Sequence, residues 1–169
     1  MMVAKSYFLL DDKILPMDGE EGGKSADRIK VNSDSNLLEG KTILVIDDNP
    51  INLIVAEKTL KKFGANCIKA LSAKEGIQKF LVNPVNLVLM DLHMPSIDGF
   101  EATAMLRETQ NFKDKPINIL AYTTYSYDEV KAKMSEFQLD GYIGKPFTQD
   151  QVLETIIKIL ELDQSSKTK

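Results

Sequence analysis

Short apolar runs and amphipathic stretches alternate over about 120 residues in the centre of the chain. The runs at 43–46 and 87–90 are continuously apolar, which is typical of strands buried on both faces of a sheet. Between them, apolar residues recur at helical spacing, as in the stretch that opens at Asn49-Pro50 and ends before Gly64. Asn is a preferred helix cap, Pro suits the first helical position and Gly suits the end, so these residues predict a helix.

The whole pattern predicts five strands and five helices. The strands are expected at 43–46, 67–71, 87–90, 117–122 and 142–144, and the helices at 50–63, 73–82, 100–109, 128–137 and 149–160. Strands that alternate with helices form a parallel sheet covered on both faces. The common arrangement of five such units is the doubly wound, flavodoxin-like order 2-1-3-4-5. We therefore predict an α/β fold of this class.

The two ends of the chain differ from the centre. Residues 1–40 contain eight acidic and five basic residues, and 19–36 are rich in Gly, Ser, Asp and Asn without an apolar period. Such composition is typical of a linker. We predict a linker or poorly ordered N-terminal segment at 1–40, one domain at 41–162 and a frayed polar tail at 163–169.

Composition excludes several classes of function. The net charge of −4 and the lack of a basic cluster argue against nucleic acid as a partner. Cys67 and His93 are the single cysteine and the single histidine of the chain, which excludes Cys-rich and two-histidine zinc sites. There is no apolar run of 18 residues, and the N-terminal apolar patch is too short for a secretory signal. We therefore predict no direct membrane contact and a cytoplasmic location.

Three acidic residues follow predicted strands at one edge of the sheet. Asp47 and Asp48 come directly after the first strand, and Asp91 comes directly after the third. These strands are neighbours in the order 2-1-3-4-5, so the three carboxylates are expected to converge and repel one another. A hard divalent cation relieves this repulsion, and oxygen ligands suit Mg²⁺. The alternative, that these acids are solvated turn residues or helix caps, fits one such acid better than three.

Two more side chains are expected in the same crevice. Thr123 follows the fourth strand, and Lys145 ends the fifth and precedes Pro146. An X-Pro bond can adopt the cis form, which would aim the Lys145 ammonium back over the strand ends. A metal, an ammonium and a hydroxyl around a carboxylate suit transfer of a phosphoryl group onto that carboxylate.

Three motifs in the chain resemble the receiver domain of two-component response regulators. They are the sequences IDDN, MDLHMPSIDG and GKPF, at 46–49, 90–99 and 144–147. The resemblance implies that Asp91 is the phosphoacceptor and that Mg²⁺ is the cofactor. It also implies that Asp48 ligates the metal directly, that Asp47 does so through water, and that the main-chain carbonyl of His93 completes the protein ligands.

The resemblance implies further roles at the ends of the fourth and fifth strands. Thr123 and Lys145 would bind the new phosphoryl group, and Tyr142 would be a switch aromatic that turns inward when Thr123 moves. Thr124 is an alternative switch hydroxyl, but Thr123 has the usual spacing to Lys145. A small insertion is expected at 111–115. Tyr125 and His93 flank the site at variable positions, where Tyr125 could shield the acyl phosphate and His93 is expected to be an exposed loop residue.

The resemblance extends to receivers attached to hybrid sensor histidine kinases, both in DDNPIN at 47–52 and in the preceding linker. It implies a phosphohistidine donor on a sensor histidine kinase or a histidine phosphotransfer protein, and a homodimer through helices four and five. The chain itself would catalyse no more than its own phosphorylation and dephosphorylation. It would belong to the cytoplasmic part of a membrane-bound kinase. The alternatives are a free-standing single-domain regulator and a docking-only pseudo-receiver. A haloacid-dehalogenase-type phosphatase needs an Asp-x-Asp pair after strand 1, which 47–50 lacks.

Overall fold

A computed structural model describes residues 6–10, 13–16 and 36–166, with side chains described for 36–160. The strands are β1 Ser6–Leu10, β2 Lys13–Pro16, β3 Thr42–Ile46, β4 Asn66–Ala70, β5 Leu87–Met90, β6 Asn118–Thr123 and β7 Gly141–Gly144. The helices are α1 Pro50–Lys62, α2 Ala73–Val82, α3 Gly99–Glu108, α4 Gln110–Asp114, α5 Tyr127–Glu136 and α6 Gln149–Ser166. Within these ranges, none of the helices combines the length and the apolar character needed to cross a bilayer.

The seven strands form one sheet in the order β2-β1-β7-β6-β5-β3-β4. Strands β3 to β7 pair in parallel, and taken alone they have the order 2-1-3-4-5. The predicted fold class and strand order are therefore confirmed. The carboxyl ends of β3, β5, β6 and β7 meet at one edge, which is the edge where the candidate site was predicted.

The described residues contain six helices, whereas five were predicted. The additional helix, α4, falls in the stretch where a small insertion was expected. Thr109 caps it by accepting a hydrogen bond from the main-chain N–H of Phe112, whose side chain is buried in the core. The helix predicted at 149–160 is also longer, since α6 continues to Ser166.

Two strands lie in the N-terminal segment for which a linker or poor order was predicted. β1 and β2 form an antiparallel pair, and β1 also pairs antiparallel with β7, so that Tyr7 lies opposite Tyr142 in the register. Local composition gives no sign of this pairing, because the partner strand lies far along the chain. Residues 1–5, 11–12 and 17–35 of the predicted N-terminal segment, and the last residues of the predicted tail, 167–169, lie outside the described residues.

The sheet has an apolar layer on each face, and β3 contributes to both. Leu44 and Ile46 face one layer, while Ile43 and Val45 face the other. The first layer includes residues of α2, α3 and α5, and the second includes residues of α1 and α6. Burial of these side chains holds the strands in place, so that the strand ends form a fixed frame for the polar residues that follow them.

Candidate functional site

Asp47, Asp48 and Asp91 come together at the carboxyl ends of β3 and β5. One carboxylate oxygen of each residue lies within 4.8 Å of the corresponding oxygens of the other two. The strands that carry them are direct neighbours, with Ile46 opposite Met90 in the register. Asp47 and Asp91 are buried, whereas Asp48 is exposed. The site therefore has two buried carboxylates and one that is open to solvent.

The ammonium group of Lys145 lies between the two buried carboxylates. Its Nζ donates to Oδ2 of Asp91 at 3.1 Å and makes a closer contact with Oδ2 of Asp47. The Lys145 side chain is 9% exposed, and Nζ lies 4.4 Å from the centroid of the Tyr122 ring. The Lys145–Pro146 peptide bond is cis. One ammonium among three carboxylates leaves an excess of negative charge, which favours a cation as ligand.

The chain immediately after β3 holds Asp47 in place. Asn49 caps α1 by accepting from the main-chain N–H of Ile51, and Pro50 occupies the first turn, as predicted. The main-chain N–H of Asn49 donates to Oδ1 of Asp47 at 2.9 Å. The side-chain amide of Asn52 donates to both Asp47 oxygens at 3.1 Å each. Asn52 is absent from the predicted site. Its position in the first turn of a helix that follows two site acids is the feature of the sequence that could have indicated its role.

The carboxyl group of Asp91 is under opposing influences. Burial raises the pKa of Asp91 above its ordinary value, while the charge of Lys145 lowers it. The main-chain N–H of His93 donates to Oδ1 of Asp91 at 3.1 Å and also lowers the pKa, whereas the neighbouring Asp47 raises it. The net pKa shift is upward. The anionic form is therefore costly here, and a ligand that adds positive charge stabilises it.

Gly99 allows the loop after Asp91 to approach the first turn of α3. A Cβ atom at this position would lie 2.1 Å from the main-chain oxygen of Asp91 and 2.7 Å from Cα of Leu92. Asp98 caps α3 by accepting from the main-chain N–H of Glu101 at 2.8 Å. The Asp98-Gly99 pair thus starts the helix and keeps the Asp91 loop folded against it.

Thr123 lies fully buried at the end of β6, and its main-chain oxygen accepts a hydrogen bond from the main-chain N–H of Lys145 at 2.7 Å. Its Oγ1 accepts a hydrogen bond from the main-chain N–H of Tyr125 at 3.3 Å. Thr124, the alternative switch hydroxyl, is exposed. Of the two threonines, Thr123 is thus the buried one, and the choice of the switch hydroxyl stays a prediction.

Tyr142 lies inside the fold, and its phenol group meets the loop after β6. The hydroxyl donates to the main-chain oxygen of Tyr125 at 2.6 Å, and the ring packs edge-on against Tyr127 with centroids 5.6 Å apart. A Cβ atom at position 144 would lie 2.6 Å from the Tyr142 hydroxyl, so Gly144 makes room for it. The predicted switch aromatic is therefore connected to the segment that carries Thr123.

The side chains of His93 and Tyr125 meet at the rim of the site. His93 Nδ1 lies 2.8 Å from the Tyr125 hydroxyl, and the two rings are nearly perpendicular. Both residues border a cleft of about 460 Å³ between the β5–α3 loop and α5. His93 is exposed, as expected. The predicted roles of its main-chain carbonyl as a metal ligand and of Tyr125 as a shield stay predictions.

Comparison with known families agrees with this geometry. Residues 43–157 match the family model described as the response regulator receiver domain. This range covers more than half of the chain. It includes all five parallel strands except Thr42, the first residue of β3. The chain therefore belongs to the response regulator receiver domain family of two-component signalling.

Individual relatives differ in how much of their length the chain covers. It is 34% identical to probable histidine kinase 4 of Oryza sativa subsp. japonica, over 73% of this chain but 14% of that protein. It is 29% identical to Protein PilG of Pseudomonas aeruginosa, over 70% of this chain and 86% of that protein. The solved structure of the Thermotoga maritima response regulator TrrA with Mg²⁺-BeF is 30% identical, with a TM-score of 0.62 and coverage of 70% and 98%. The chain thus spans a small part of the kinase relative.

Proposed function

We propose that this chain is the phosphoacceptor of a two-component phosphorelay and that it takes a phosphoryl group from a phosphohistidine onto Asp91. The observation that carries the proposal is the position of Asp91: buried, 3.1 Å from the Lys145 ammonium, and grouped with Asp47 and Asp48. The reaction forms a bond between an Asp91 oxygen and phosphorus, while the phosphorus–nitrogen bond of the donor breaks and its electron pair returns to the imidazole.

The acidic cluster fits Mg²⁺, because three carboxylates supply hard oxygen donors and one of them is open to water. Asp48 and Asp91 would ligate the ion directly, Asp47 through water, and His93 through its main-chain carbonyl. When bound, the ion would supply positive charge for the transferring phosphoryl group. The Mg²⁺-BeF complex of TrrA supports this assignment by family likeness.

Two groups of the chain itself face the product. The Lys145 ammonium is shared between Asp47 and Asp91, so it can turn to a phosphoryl oxygen on Asp91. Oγ1 of Thr123 accepts from Tyr125 and keeps its own hydrogen to donate. A hydrogen bond from Thr123 to the phosphoryl group would therefore also move the Tyr125 segment.

This connection supports a switch that runs from the site to the surface of α5, β7 and α6. Thr123 contacts the N–H of Tyr125, and the carbonyl of Tyr125 holds the Tyr142 hydroxyl. Phosphorylation of Asp91 would select between two arrangements of this chain of contacts. Helices four and five of the predicted fold correspond to α5 and α6, and the proposed homodimer would form there.

An apolar stripe on α1 supports docking of a protein donor. Ile51 is 67% exposed, and Ile54 and Val55 are exposed one turn further along. The stripe begins at Ile51, in the first turn of the helix that follows the Asp47-Asp48 pair, and exposed apolar patches mark interaction sites. We assign it to the sensor histidine kinase or histidine phosphotransfer protein that delivers the phosphoryl group.

The parent of the chain is proposed to be a hybrid sensor histidine kinase, whose cytoplasmic part would contain this domain. The kinase relative from Oryza sativa supports this assignment, since the chain covers a small part of it. A free-standing regulator is the second candidate, favoured by coverage of 86% of Protein PilG.

Intact mass measurement tests the acceptor. The protein is incubated with a small acyl-phosphate donor with and without Mg²⁺, beside Asp91→Asn and the control Asp128→Asn, an exposed acid on α5. A single phosphoryl adduct that requires Mg²⁺ and Asp91, and that survives in the control, is expected. An adduct that persists in Asp91→Asn would place the acceptor elsewhere, and no adduct on the wild type would favour the docking-only pseudo-receiver.

A protein donor tests the docking assignment separately. Ile51→Ser with Ile54→Ser should slow transfer from a phosphorylated histidine phosphotransfer protein and leave the reaction with the small donor unchanged. Val82→Ser, an exposed apolar residue at the end of α2, is the matched control. Equal transfer rates in the α1 variant and the control would contradict the assignment.

A further inference from the structure

The buried carboxylate of Asp47 depends on protein donors. An anion without solvent contact is stable only when hydrogen bonds or charges satisfy its oxygens. Lys145 supplies the positive charge, but the same ammonium also lies 3.1 Å from Asp91. When a phosphoryl group on Asp91 attracts Lys145, Asp47 has to keep its position with less help from that cation.

Two residues of the chain hold Asp47 independently of Lys145: Asn49 through its main-chain N–H, and Asn52 through its side chain, which reaches both oxygens. The amide nitrogen of Asn52 lies 3.1 Å from Oδ1 and 3.1 Å from Oδ2 of Asp47. Its nitrogen faces the carboxylate, since an amide oxygen in the same place would repel it. The neighbouring residue, Leu53, is buried in the core and anchors this turn of α1. The amide is therefore presented from a fixed part of the fold.

We propose that Asn52 is a positioning residue of the acceptor site, which holds both oxygens of Asp47 while Lys145 turns to the phosphoryl group on Asp91. This inference rests on the proposed function of Asp91. Asn52 acts through Asp47 and touches neither the donor nor the reacting oxygen. Residue type matters here: aspartate has the same size but would add a fourth carboxylate, and alanine would remove the donor.

Unfolding by urea without Mg²⁺ tests the contact independently of phosphorylation. The effect of Asn52→Ala on the urea midpoint is measured in the wild-type background and in the Asp47→Asn background. Asn83→Ala is the control, because the Asn83 side chain contacts the carbonyl of Lys79 on α2, away from the site. The shift in urea midpoint caused by Asn52→Ala should fall by more than half in Asp47→Asn, because the anion it holds is gone. An equal shift in both backgrounds would show a merely structural role and overturn the inference.

The rate of phosphorylation by a small acyl-phosphate donor provides the second readout. At saturating Mg²⁺, Asn52→Ala should be slower than the wild type by about tenfold, Asn52→Asp slower still, and Asn83→Ala unchanged. Wild-type rates in both Asn52 variants would overturn the positioning role while leaving the function of Asp91 intact. Failure of the wild type itself to accept phosphate would instead remove the proposed function, and the inference with it.

Discussion

The hydroxyl of Tyr142 donates a hydrogen bond of 2.6 Å to the main-chain oxygen of Tyr125. Tyr142 belongs to β7, whereas Tyr125 belongs to the loop between β6 and α5. The N–H of Tyr125 donates to Thr123 in turn. The phenol of Tyr142 is therefore linked to Thr123 through one residue, Tyr125, and the proposed switch would use this link.

Tyr142→Phe removes this hydrogen bond and keeps the ring. Because the hydroxyl is buried, we expect a loss of about 1 kcal/mol in the free energy of unfolding, measured with urea. NMR shift changes in α5 amides on addition of Mg²⁺ and beryllofluoride should also become smaller. An unchanged urea midpoint with undiminished shift changes would show that the bond carries neither stability nor signal.

Lys145→Met leaves two buried carboxylates without their shared cation. Loss of one partner from a buried ion pair destabilises a fold by about 3–5 kcal/mol, and we expect a decrease of that order in urea unfolding without Mg²⁺. Added Mg²⁺ should recover more stability in this variant than in the wild type, since the ion replaces part of the missing charge. Lys131→Met, at an exposed ion pair with Asp128, serves as control.

The pH dependence of stability should show a contribution from Glu57. Hydrogen bonds from Lys61 and then Lys69 lower the pKa of Glu57 to about 2, from an ordinary value of 4.5. A carboxyl group with a lowered pKa in the folded state stabilises the fold above its unfolded pKa, and loses this contribution as pH falls toward its folded pKa. NMR titration should therefore find Glu57 ionised at pH 3.

The corresponding variant gives an independent check of this sign. The stability difference between the wild type and Glu57→Gln should shrink as the pH is lowered from about 5 to 2. Glu136→Gln, which changes an exposed glutamate at the end of α5, should show no comparable trend. A difference that grows with acidity would contradict the lowered pKa.

Amide exchange tests the pairing of β1 with β7. In Tyr7→Pro with Phe8→Pro, consecutive prolines remove N–H groups that point to opposite neighbours, so the pairing is lost whichever residue donates to β7. We expect faster exchange for amides in Gly141–Gly144 and unchanged exchange in β4, at the other edge of the sheet. Identical exchange in β7 would mean that β1 does not protect this edge.

Prediction from sequence succeeded where the signal is local or follows from topology. Continuous apolar runs locate β3 and β5, and the strand order then brings Asp47 near Asp91. The pairing of β1 was missed because it depends on a strand far along the chain. Asn52 was missed because a polar residue in the first turn of a helix resembles any solvated side chain. Its contact with Asp47 matters because the Asp47 carboxylate is buried, and the apolar periodicity of the sequence does not show how deeply a polar residue is buried.

The close approach at Gly99 restricts how this sequence can vary. No side chain fits between the first turn of α3 and the main chain of Asp91, where a methyl carbon would lie 2.1 Å from an oxygen. A library randomised at positions 99 and 101 and selected for a working acceptor should therefore return glycine alone at the first. The exposed position of Glu101 should accept many residues. Position 99 would thus tolerate no substitution, whereas position 101, about half a helical turn away, would tolerate many.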